Sequence, residues 1–148
     1  MKTHTNLNDR LAEHFTLREM VASGTARRLN IDNMPTERDV DCLRRLCQQV
    51  LEPLRRRFGV LRVTSGYRCE ALNEAVGGQP CSQHLYGQAA DLHCSSHESA
   101  RQMYDYVRQH LDFDQVLLER RLSNGCYWLH VSYVSPQQNR RQASMVVL

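Results

Sequence analysis

His84 and Asp91 stand seven residues apart, and a further histidine, His130, lies well downstream in this 148-residue chain. An imidazole and a carboxylate at that spacing cannot share one helical face, so they meet only if the chain bends between them. Gly87 supplies the freedom to bend, and the small Ala89 and Ala90 let a strand pack closely behind the pair. In Trp128-Leu129-His130 the second imidazole falls in a strand pattern, where His130 and Trp128 share a face because strand side chains alternate. Two histidines and one carboxylate, with a fourth position left for water, make up the composition of a catalytic zinc site. Each residue alone has a plainer reading: a single histidine in apolar surroundings is usually structural, and an aspartate at a strand end is usually a turn or cap.

The elements that must position these residues are legible in outline. Thr16 with Glu19 three residues later reads as a helix start. Residues 22–34 are mixed and turn-rich. From Pro35, in the expected first turn, Val40, Leu43, Leu46, Cys47, Val50, Leu51 and Leu54 recur at helical spacing, with Pro53 expected to kink the helix or restart it and Gly59 to end it. Residues 60–64 read as a strand left through the turn Ser65-Gly66-Tyr67-Arg68, and 69–76 as a short helix stopped by Gly77-Gly78. Residues 79–86 read as irregular, 89–93 as a strand, and Ser96 as the cap of a helix over 97–110. Two strands, 114–119 and 126–134, flank the hairpin signal Asn124-Gly125. The expected fold is α+β, a small antiparallel sheet with helices packed on it, forming a single domain over 1–148 in which 1–14 and 136–148 are peripheral tails.

Composition narrows the partners. Hydrophobic residues at 41% and charged residues at 24% are ordinary globular usage. A formal charge of +3 is too small for a dedicated nucleic-acid binder, although it favours an anionic polymer such as cell wall. The basic stretch Arg44-Arg45 and Arg55-Arg56-Arg57 reads as a solvated helix face. Residues 1–10 lack the apolar core of a signal peptide and no run of apolar residues could span a membrane, so the expected product is cytoplasmic as synthesised. The six cysteines show no C-x-x-C pair and are expected to be free thiols.

The series Ser82-x-His84-x-x-Gly87-x-Ala89-x-Asp91, preceded by Ser65-Gly66-Tyr67-Arg68 and followed by Trp128-x-His130, resembles the motifs of the zinc D-Ala-D-Ala carboxypeptidase family. That family includes D-Ala-D-Ala dipeptidases and phage L-alanyl-D-glutamate endopeptidases and shares its fold with the signalling domain of hedgehog proteins. The resemblance runs from about Phe15 to Tyr133. It implies one zinc ion per chain held by His84, Asp91 and His130, and peptidoglycan stem peptides as substrate, hydrolysed by activated water without a covalent intermediate. Arg68 matches an arginine that stabilises the substrate carbonyl, a role suited to a fixed guanidinium beside a developing oxyanion. Ser82 is implied either to orient a ligand or touch substrate, or merely to cap its loop.

The chain departs from the family at the general base. Many relatives carry an acid three residues before the last histidine, where this chain has Tyr127. Glu119, at the end of Val116-Leu117-Leu118, is the candidate to take over, unless it is only a polar strand exit with Arg120 and Arg121. His93, which alternates with Asp91, is a weaker candidate or a partner behind the metal ligands. Two other readings stand beside this one: a zinc-binding module of the same fold without turnover, and a cysteine-nucleophile enzyme, for which no local signature exists. By analogy the expected protein is a monomer resembling a phage lysis enzyme released to the wall, acting on neither nucleic acid nor membrane.

Overall fold

The computed structural model describes residues 6–148. Residues 1–5, the start of the polar segment that lacks a signal-peptide core, lie outside the described residues.

Four antiparallel strands form the frame of the main sheet: β3 (Val63–Ser65), β4 (Ala89–Cys94), β5 (Gln115–Arg120) and β6 (Tyr127–Ser132), with β4 and β5 flanking β6. A further strand, β7 (Gln142–Val147), runs parallel to β5 and completes the order β3-β4-β6-β5-β7. The α+β class is as expected from the sequence, but residues 136–148 are not a tail: 142–147 form the outer strand of the sheet. The amino-terminal stretch is likewise part of the body, since β1 (Arg10–Ala12) pairs with β2 (Phe15–Thr16) in a small hairpin whose Leu11 and Phe15 join the core.

Strand alternation gives the sheet two different faces. Ala90, Leu92, Val116, Leu118, Leu129 and Val131 are buried on one side. Helix α6 (His97–His110) packs there through Ala100, Met103, Tyr104 and Val107, an i, i+3, i+4, i+7 stripe, and Ser96 caps it by accepting from the Ser99 N–H. The other face carries Asp91 and His93 on β4, Trp128 and His130 on β6, and Leu117 and Glu119 on β5, aligned in cross-strand rows.

Of the remaining helices, α1 (Leu17–Val21) packs on β3 and the others on neighbouring elements. Thr16 caps α1, and a short α2 (Gly24–Arg28) occupies the turn-rich stretch. Helix α3 (Glu37–Leu46) begins beyond Pro35, because Thr36 and Asp39 form a reciprocal capping box that leaves the proline outside. Pro53 cannot donate to the preceding turn. The helix therefore widens into a π-helical segment, Cys47–Leu51, in which the Glu52 N–H donates to the Cys47 carbonyl, and continues as α4 (Glu52–Phe58) to Gly59. Strand β3 starts only at Val63, since Val60 faces solvent, and α5 (Glu70–Ala75) follows the turn after it. All six cysteines are free, with Cys47 and Cys94 buried and Cys81 and Cys126 exposed.

Candidate metal centre

Asp91 and His130 are directly opposed on β4 and β6, so sheet register alone brings their side chains together. The Nδ1 of His130 lies 2.9 Å from Asp91 Oδ1. His84 arrives from a different kind of element. It sits in a 3-10 turn, Gln83–Tyr86, whose start is capped by Ser82 Oγ accepting from the His84 N–H and whose end is turned by Gly87 in the left-handed region, φ 71°. A side chain at Gly87 would meet that backbone strain and also collide with the Asp39 carbonyl. This is the bend that lets residues 84 and 91 converge: His84 Nε2 stands 3.3 Å from Asp91 Oδ2, and the two imidazole rings are 5.3 Å apart.

Support behind His84 fixes which nitrogen it offers. Its Nδ1 lies 2.7 Å from the Gly66 carbonyl, which can only accept, so Nδ1 donates there and Nε2 is the nitrogen turned toward Asp91 and open to a metal. The carbonyl of His84 in turn accepts from the Arg68 N–H at 3.0 Å. Gly66 has no room for a side chain, because a Cβ there would run into the Met20 carbonyl. A further tie comes from Gln83, whose amide donates to the fully buried Asp114 carboxylate, itself held by Arg140.

Donor atoms from His84, Asp91 and His130 all lie within 4.8 Å of one another. Ligand bonds of about 2.0–2.1 Å in tetrahedral geometry place zinc donors roughly 3.3 Å apart, so two imidazoles and a carboxylate at these separations fit that ion. Burial on its own would raise the Asp91 carboxyl. Hydrogen bonds from His130 and His84 outweigh it and hold the carboxyl well below the usual carboxylate range, so the group is an anion ready to ligate.

The three residues lie in a cleft of about 1050 Å³. Arg68 reaches it with its guanidinium held on three sides: Nε donates to Ser65 Oγ at 2.9 Å, Nη1 to Asn73 Oδ1 at 2.9 Å, and Nη2 approaches Asp91 Oδ2 at 3.5 Å. Burial lowers its pKa from the ordinary value, partly offset by Asp91, and a guanidinium remains charged throughout. Glu119 lines the same cleft one row along the sheet from His130, opposite Trp128. Burial and the nearby Asp91 charge raise its carboxyl above the ordinary value, against smaller opposing effects of His130 and a Trp128 hydrogen bond. Apart from Asp91, Glu119 is the only carboxylate side chain lining the cleft among the described residues.

The other candidates also line the cleft but make different contacts. Tyr127 packs at a tilt against His97, ring centroids 5.3 Å apart, with Arg120 over its ring. His93 shares the row of Trp128 and Glu119 and makes no hydrogen bond to Asp91. Ser82 lines the cleft while capping the His84 turn. Asn73 is a site residue that sequence reasoning misses: it is buried, orients Arg68 and donates to the Gln79 carbonyl, and an asparagine inside a short helix is its only trace in the sequence. A second group of donor types, Glu13, His14 and Glu52, is bridged by Arg56 and fastens the amino-terminal hairpin to α4.

The family model for Peptidase M15 matches residues 13–132 of the chain, a span that contains every residue of the centre. No curated protein matches the chain.

Proposed function

Because the chain belongs to the Peptidase M15 family, we propose that it is a zinc metallopeptidase acting on the stem peptides of peptidoglycan, with one metal ion held by His84, Asp91 and His130. The observation that carries this reading is the sharing of one Asp91 carboxylate between His84 and His130 at the floor of an open cleft that also holds Arg68 and Glu119. A zinc ion in such a site supplies Lewis acidity and brings the pKa of a water toward ~7.

The chain's own residues have distinct tasks. Glu119 accepts the proton of the attacking water, which its raised pKa suits, since a base works best when its pKa approaches the working pH. Arg68 donates to the scissile carbonyl oxygen as negative charge develops there. Ser65 and Asn73 hold that guanidinium in place before substrate arrives, so little reorganisation is needed at the reacting moment. Ser82 keeps the His84 turn closed and stands where a substrate could reach its hydroxyl. Glu119 then returns its proton to the leaving amine.

The decisive experiment is digestion of purified sacculi by the zinc-loaded protein, with the new ends identified by mass spectrometry. Free ends at a stem-peptide bond support the reading and tell which bond is cut. A second reading, a zinc-binding module without turnover, draws on Tyr127 standing where many relatives have an acid. Stoichiometric zinc with no released ends would favour it.

A further inference from the structure

Four arginines, Arg28, Arg68, Arg121 and Arg140, line the cleft, and their partners separate them. Arg68 is committed to Ser65, Asn73 and Asp91. Arg140 is neutralised by the buried Asp114, which accepts from its backbone N–H, its Nε and its Nη2. Arg28 sits on the last turn of α2. Arg121 differs from all three: its guanidinium carbon lies 5.3 Å above the Trp128 ring, and its side chain makes no hydrogen bond or ion pair among the described residues.

The position of that stacked guanidinium is set by the sheet. The row containing His130 and Leu117 is followed by the row of Trp128 and Glu119, and then by Arg121, whose N–H donates to the Cys126 carbonyl as the hairpin closes. Successive rows on one face are about 7 Å apart along a strand. Held over Trp128, the Arg121 guanidinium is therefore one row from His130. A guanidinium held over a ring face makes no hydrogen bond to it, so its N–H fork stays free to take a carboxylate with two parallel hydrogen bonds. An extended peptide advances about 3.4 Å per residue, so a carboxylate met one row away is carried one or two residues from the scissile bond.

Resting on the metallopeptidase reading above, we propose that Arg121, braced on Trp128, is a specificity-determining residue that binds a free carboxylate of the substrate one or two residues from the bond that is cut. In a stem peptide that carboxylate is either the α-carboxylate of a γ-linked D-glutamate or the carboxyl terminus. Both present the same chemistry to a guanidinium.

The test compares the pentapeptide L-Ala-γ-D-Glu-L-Lys-D-Ala-D-Ala with two versions, one amidated at the D-Glu α-carboxylate and one at the carboxyl terminus. Wild-type protein should cleave the fully free peptide at least ~10-fold more efficiently than one of the amides, the scale of a charge-assisted hydrogen bond, and the discriminated amide identifies the carboxylate. Arg121→Gln should collapse that ratio toward unity, with the loss falling mainly on KM, and Arg121→Lys should restore part of it. A second readout needs no turnover. The chain has a single tryptophan, so titrating the metal-free protein with the free and amidated peptides should change Trp128 fluorescence for the free peptide at ~10-fold lower concentration, and Arg121→Gln should abolish the difference. Cleavage by Arg121→Gln with the discrimination intact would overturn the assignment and leave the peptidase reading standing. Failure of the zinc-loaded wild type to cleave any of the peptides or sacculi would overturn both.

Discussion

His130 Nδ1 and Asp91 Oδ1 stand 2.9 Å apart because their residues are opposed in the register of β4 and β6. A slip of one residue in that pairing would turn His130 toward α6 and put Leu129 or Val131 in the cleft. The centre is thus specified by the same alternation that builds the core, and the buried Leu92, Leu129 and Val131 hold its register.

The proposed base is Glu119. Glu119→Gln removes the proton acceptor while keeping size and polarity, so the variant should retain its zinc and lose roughly a hundredfold or more in turnover, the usual contribution of a positioned base. Steady-state kinetics on wall fragments, paired with metal analysis, checks this. Full activity would move the role to His93 or another group.

Substrate class is tested by contrast. Wall fragments should be cleaved with zinc present and not after chelation, and casein should remain intact under the same conditions. Efficient casein digestion without release from sacculi would contradict the stem-peptide reading while leaving the metal centre in place.

Several of the features that build the centre are legible in the sequence alone. The bend at Gly87, the cap at Ser96, the hairpin at Asn124-Gly125 and the helix end at Gly59 are local signals, written where the backbone needs a particular residue. Other features depend on contacts that sequence spacing does not encode. Strand β7 alternates too weakly to announce itself, because it lies at the sheet edge and is largely exposed on both faces, and its parallel pairing with β5 follows from how the chain returns after β6. The grip of Asn73 on Arg68 and that of Asp114 on Gln83 join residues on different elements, so neither pair can be read from its own segment.

The Asp114 network gives a pH-dependent prediction. Burial would raise the Asp114 carboxyl, but hydrogen bonds from Arg140 and Gln83 leave it lowered from its ordinary value. A carboxyl depressed in the folded state contributes stability above its unfolded pKa of about 3.9, and loses it as pH falls through that value toward the folded one. Asp114→Asn should therefore cost about 1–3 kcal/mol at pH 7, kept modest because Arg140 is half exposed, and the gap from wild type should narrow as pH falls below about 4. Denaturant titrations at pH 7 and pH 3 measure it.

Thiol reactivity should come in stages. In the native, non-reduced protein the exposed Cys81 and Cys126 should react first with an aromatic disulfide reagent, followed by the partly covered Cys42 and Cys69. The buried Cys47 and Cys94 should stay silent until unfolding, since burial pushes both thiols up, Cys94 to about 11. Unfolding should bring the total close to the six present in the chain. A total near zero would mean that the cysteines pair.

The centre itself is tested most directly by the zinc content of the His84→Ala variant. As the proposed third donor, His84 is buried in the turn that Ser82 and Gly87 close, so its removal would leave two donors. Elemental analysis of purified, dialysed protein should find about one zinc per chain in the wild type and little or none in the variant, with the variant still folded by circular dichroism. Stoichiometric zinc in folded His84→Ala would contradict the assignment of His84, Asp91 and His130 as the metal centre.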